Sequence, residues 1–122
     1  MQFMKRHQVR WSEGAPAFLE RPGRVTYNPS FARCASGWVQ VWREAAHWSD
    51  DAEAMVLRPE DAHPFPLRSS PAFADYSGRI ADPKLWQRNE EIWVTFNTGW
   101  VVEGNAIFVA QVWPQITAPE EV

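Results

Sequence analysis

FARCASGWVQVWREAAHW, residues 31–48, admits two readings. Phe31, Cys34, Ala35, Trp38, Val41, Trp42, Ala45 and Trp48 recur at steps of three and four residues, and all are apolar. Arg33, Gln40, Arg43, Glu44 and His47 fill the places between them. That spacing is one face of an α-helix, and Ser30 after Pro29 is a suitable N-cap. Against it, Gly37 costs about 1 kcal/mol inside a helix, and Trp38 to Trp42 alternate as a strand does. The longer periodicity is taken as decisive. It predicts one long amphipathic helix in which Gly37→Ala would be stabilising.

C-terminal to this stretch, Glu103-Gly104-Asn105-Ala106 carries the Gly-Asn pair of a tight β-hairpin. The expected register sets Val102 against Ile107, Trp100 against Val109, Thr98 against Gln111 and Phe96 against Trp113. One face then gathers Ile92, Val94, Phe96, Trp100, Val102, Ile107, Val109 and Trp113, and the other Trp93, Val101, Phe108 and Val112. The fold class that follows is α+β: the long helix packed on an antiparallel sheet built around this C-terminal hairpin.

The rest of the chain is read as connection. Residues 1–29 form an irregular basic segment with short strand candidates at Gln8–Ser12 and Arg24–Asn28. Met55–Arg58 reads as a strand, and residues 59–71, with four of the ten prolines, read as an extended loop. Ser70-Pro71 and Asp82-Pro83 each place a capping residue before a proline suited to the first position of a helix. The second pair predicts a short helix over Asp82–Asn89 with Leu85 and Trp86 turned inward. No internal repeat is visible, and residues 1–122 are taken as a single domain.

Composition bounds the function. The single cysteine, Cys34, permits no intramolecular disulfide and no multi-thiolate zinc site. No secretory signal is recognised after Lys5 and Arg6, which fits a reducing compartment: the cytoplasm or the interior of a virion. No apolar run approaches the roughly 18 residues of a membrane helix. Residues 1–33 carry a net charge of +4 and residues 34–122 one of −7. An overall charge of −3 disfavours binding to nucleic acid.

No nucleotide-binding, hydrolase or metalloprotease motif occurs. His47 with Asp50 and Asp51 has helical spacing but lacks a third metal ligand. Asp61-Ala62-His63 is a polar loop between prolines. No cofactor, metal or catalytic residue is assigned. The leading expectation is a non-catalytic interaction or assembly protein: an accessory subunit, adaptor, inhibitor or viral structural component. It would bind a protein partner, or itself, through Trp93, Val101, Phe108 and Val112, with Lys5, Arg6 and Arg10 reaching an acidic neighbour. One alternative is a carbohydrate or small-ligand module using Trp11, Trp86 and Trp93 of the eight tryptophans. The other is a small enzyme with an apolar pocket and a carboxylate paired with His47 or His63.

Overall fold

The computed structural model describes residues 23–47, 52–99 and 104–122. Its elements are strands: β1 (Val25–Cys34), β2 (Gly37–Ala45), β3 (Glu53–Leu57), β4 (Phe65–Pro66), β5 (Ala81–Arg88), β6 (Glu91–Asn97), β7 (Ile107–Trp113) and β8 (Glu120–Glu121). Two one-turn 3₁₀ segments, Leu67–Ser69 and Pro71–Phe73, lie between β4 and β5. The strands form two antiparallel sheets, β1-β2-β3-β4 and β5-β6-β7-β8, each in sequence order.

The α+β expectation is therefore wrong, because the stretch taken for a long helix is a β-hairpin. Ala35 and Ser36 turn the chain, Cys34 pairs with Gly37, and Arg33 pairs with Trp38. Gly37 adopts φ 139, which a side-chain-bearing residue rarely takes. Beyond it Val39, Gln40, Val41 and Trp42 are all buried. A strand covered on both faces loses its alternation, and its apolar residues mimic a helical stripe by chance. The aromatic and β-branched content of residues 38–42 suits a pleated backbone better than a helix.

The short helix predicted from Asp82 is also a strand, β5. Asp82-Pro83 forms a β-bulge there, with Asp82 at φ 48. Ser70-Pro71 does open a helical turn, though only the three-residue segment Pro71–Phe73. The strand expected near Met55 is β3, and the proline-rich loop contributes β4.

The C-terminal hairpin exists with a different register. Phe96 pairs with Phe108, Thr95 with Val109, Val94 with Ala110 and Trp93 with Gln111. Thr98 closes the ladder by donating its N–H to the Ala106 carbonyl at 3.1 Å. Its hydroxyl also accepts the Ala106 N–H at 2.9 Å. Gly99, at φ 100, leaves the strand immediately afterwards. The connection is thus wider than a Gly104-Asn105 turn. The five-residue slip is odd, so β7 presents to the core the side chains expected outside.

A repeat invisible in the sequence emerges from the ladders. Asn28-Pro29 in β1 and Asp82-Pro83 in β5 both have a positive φ before proline, Asn28 at 53. Both create the same bulge, between the pairs Tyr27–Arg43 and Ser30–Val41 in one sheet and Ala81–Asn97 and Lys84–Thr95 in the other. Six of the eight β1–β2 pairs, from Tyr27–Arg43 to Cys34–Gly37, map onto the β5–β6 pairs by an offset of 54 residues, the step from Asn28 to Asp82. Both hairpins also turn through two residues, Ala35-Ser36 and Asn89-Glu90.

The two sheets stack head to tail. Val39 and Val41 of β2, with Ala54 and Val56 of β3, share one core with Ile92, Val94 and Phe96 of β6 and Ala110 and Val112 of β7. Under the 54-residue offset, Val39 matches Trp93 and Trp42 matches Phe96. The first sheet thus packs through its Val39 face, whereas the second packs through the face equivalent to Trp42. Leu67, Phe73 and Ile80, from the connection between the sheets, complete the core. The Leu85 N–H donates to Ser30 Oγ at 2.9 Å and links the two first strands.

Candidate functional site

The Trp42 face of the first sheet is buried as well. Gln40, Trp42, Glu44 and Met55 are each less than a tenth exposed. Trp42 Nε1 donates to Glu44 Oε2 at 3.1 Å, and the other oxygen of Glu44 meets Arg24 at 2.6 Å. Among the described residues, the outer face of the second sheet is the more open of the sheet faces, with Trp86 and Ile107 exposed on it.

Its side chains follow from the pairing. Across the strands, one row reads Lys84, Thr95, Val109, Glu120 and the next reads Trp86, Trp93, Gln111. The two indoles stack with centroids 5.8 Å apart and planes 21° from parallel, a cross-strand aromatic pair of the stabilising kind. Trp86 Nε1 donates to Thr95 Oγ1 at 2.8 Å, which fixes the ring across β6. Trp86 is nevertheless 37% exposed, and Ile107 on the same face is 52% exposed. Trp93 Nε1 is shielded from solvent and finds no acceptor. A buried N–H left in that state is unfavourable.

Gln111 closes the far end of the second row. Its side-chain amide donates to the Trp113 carbonyl at 3.1 Å, while its backbone exchanges hydrogen bonds with Thr117. Charge lies at the sides: Lys84 and Arg88 on β5 form a basic edge, and Glu120 on β8 an acidic one. Lys84 also meets Asp82 at 3.1 Å, both side chains being more than half exposed.

Of the residues expected to bind a partner, Trp93 stands on this face. Phe108 and Val112 do not. Val112 is fully buried in the core. Phe108 stacks on Phe96 at 5.8 Å and meets the edge of Tyr76 at 5.2 Å. Val101, Lys5, Arg6 and Arg10 lie outside the described residues, as do Trp11, Asp50 and Asp51. The sequence reading turned Trp86 inward on a helix and overlooked Lys84, Thr95, Val109 and Glu120. Alternation at Lys84, Trp86 and Arg88 was the available signal.

His7 and the Asp50–Asp51 partners expected for His47 lie outside the described residues. His47 and His63 are both exposed. Asp61 is held by Arg58, whose Nε and Nη2 donate to its two oxygens at 3.0 and 3.1 Å, while the Arg58 N–H donates at 2.8 Å. This bonding raises the Arg58 pKa further above its ordinary value, against the opposing effect of burial. Among the described residues no group of three metal-ligating side chains converges. Nor is any helix among them long and apolar enough to cross a membrane. A cleft of about 110 Å³ is lined by Arg43, Glu53, Arg68 and Arg79 among others. Arg68 there donates to the carbonyls of Tyr76 and Gly78.

No protein-family model, curated protein or solved structure matches this chain.

Proposed function

We propose that this chain is a non-catalytic interaction protein, an accessory subunit or assembly component that binds a protein partner through the outer face of its second sheet. The observation that carries the reading is the Trp86–Trp93 stack at the β5 side of that face, with Trp86 37% exposed and Thr95, Val109 and Ile107 further across the same face. Aromatic anchors inside a charged rim are what protein interfaces use most. The architecture supports the same reading. Four-stranded antiparallel units repeated along a chain and stacked face to face are how β-propellers and related arrays are assembled. Such units use their broad faces for association.

The test is quantitative affinity capture with the parent and Trp86→Glu, both confirmed folded by circular dichroism. Proteins retained by the parent and lost by the variant support the reading. An identical retained set overturns it. A carbohydrate-binding reading draws on the same exposed indole. It is favoured if oligosaccharides saturably change the fluorescence of the parent and leave that of Trp86→Ala unaltered.

A further inference from the structure

The repeat says which surface is left over. Inside the chain, the Val39 face of the first sheet is covered by the Phe96 face of the second. The outer face of the second sheet is the equivalent of that Val39 face, with Trp93 in place of Val39 and Trp86 in place of Ala32. A second copy could extend the stack head to tail only by offering its own Trp42 face. That face is already buried within the chain, with Trp42 fully inaccessible. The broad surface a second copy still has to offer is its own Trp86–Trp93 face. Contact between two copies through the same face is isologous, the arrangement of a two-fold dimer.

The charges select one such arrangement. A two-fold axis parallel to the strands lays β5 of one copy over β8 of the other. A two-fold axis across the strands would set β5 against β5. Lys84 and Glu120 lie at opposite ends of one cross-strand row, joined through Thr95 and Val109. With the axis parallel to the strands, each Lys84 faces a Glu120 and each Thr95 faces a Val109. In the neighbouring row Trp93 faces Gln111. The alternative axis sets β5 against β5 and offers Lys84 no Glu120.

We infer that this protein self-associates into a two-fold dimer through the outer face of β5-β6-β7-β8, with Lys84 of each copy opposite Glu120 of the other. The inference rests on the interaction reading above and names the partner as a second copy of the chain. Four strands spaced about 4.8 Å apart make a footprint only roughly 15–20 Å wide. Such an interface lies at the small end of specific ones, so dissociation constants of about 10–100 µM are expected.

Sedimentation velocity on the full chain tests this, from roughly 5 to 500 µM and at low salt against about 1 M NaCl. The parent should shift from monomer to dimer over that range and shift back several-fold in high salt. Lys84→Glu and Glu120→Lys should each weaken association about tenfold. The chain carrying both should regain the parent affinity within about threefold, because the pair re-forms with its signs exchanged. Trp86→Ser should weaken association while lowering monomer stability by only about 1 kcal/mol, so that the variant stays folded. A parent that is monomeric throughout overturns the inference, as does a dimer in which the double exchange is no stronger than either single one. If a variant fails to fold, the concentration and salt dependence of the parent decide. A monomeric parent that still captures other proteins through Trp86 overturns self-association alone and leaves the interaction reading standing.

Discussion

The two sheets share a ladder and differ in what they bury. β1–β2 and β5–β6 have six equivalent pairs, the same bulge and the same two-residue loop length. Yet the first sheet is covered on both faces, with Val39 on one and Trp42 on the other fully inaccessible. The second leaves part of its outer face open, where Trp86 is 37% exposed although Gln111 is buried. Backbone geometry and burial are therefore specified by different residues. Asn28-Pro29 and Asp82-Pro83 set the bulges, while the identity of the side chains at alternate positions decides which faces meet.

The largest expected contrast lies across the second sheet. Phe96 is buried among Phe73, Tyr76 and Phe108, so Phe96→Ala should cost about 3–5 kcal/mol. Trp86→Ala, ten residues earlier on the outer face, should cost only about 1 kcal/mol despite removing a larger ring. Urea unfolding of the two variants measures the difference. Equal losses would mean that the outer face is covered after all.

The bulges offer a test of equivalence. Asn28 and Asp82 hold positive φ in matching places. A β-branched residue there is strained, so Asn28→Val and Asp82→Val should each destabilise by about 1–2 kcal/mol. Glycine at either position should be neutral or stabilising by up to about 1 kcal/mol. Thermal midpoints of the four variants would show whether the two bulges respond alike.

A smaller effect separates the two readings of the first hairpin. Gly37 at φ 139 would place an added Cβ 3.4 Å from the Pro59 ring. Gly37→Ala should therefore lower stability by about 1 kcal/mol, where a helix would have gained by a similar amount. The sign of the change in urea midpoint is enough to decide.

The smallest effect belongs to Tyr76. Burial raises its phenol pKa above the ordinary value near 10, and Arg68 opposes this only in part. The folded state thus favours the neutral phenol, which donates to the Arg79 carbonyl. Its contribution is fully present below pH 10 and is lost as pH rises through the higher folded value. Absorbance titration at 295 nm should show one of the two tyrosines ionising late. Tyr76→Phe should remove that phase.

Legibility from sequence followed the physics of burial. The β6 residues Ile92, Val94 and Phe96 alternate, and their core face was read correctly because only one side of that strand is covered. Residues 39–42 are covered on both sides, so both faces carry large apolar residues, and the longer helical spacing outweighed the local alternation of Trp38 to Trp42. In β7 the error came from the turn. Gly104-Asn105 resembles a two-residue loop, but the ladder closes at Thr98 and Ala106, and the slip moved Phe108 and Val112 to the inside. Asp82-Pro83 misled for a chemical reason, since the pair that can cap a helix also suits a strand bulge at positive φ. The repeat stayed hidden because it is carried by Asx-Pro, loop length and register, while the side chains on equivalent faces differ. Of the candidate site, Trp93 and the exposure of Trp86 were within reach of the sequence. The rows joining Lys84 to Glu120 required the register.

The Asx-Pro bulges have a further consequence at the sheet edges. Each sheet is open at both ends of its strand order, and an unprotected edge invites another chain to add a strand. Here the first strand of each sheet is interrupted by a proline, Pro29 or Pro83, which has no N–H to offer a neighbouring backbone. The last strand of each is two residues long, Phe65–Pro66 or Glu120–Glu121, the one ending in proline and the other doubly charged. Templated growth into fibrils is thereby blocked at both margins.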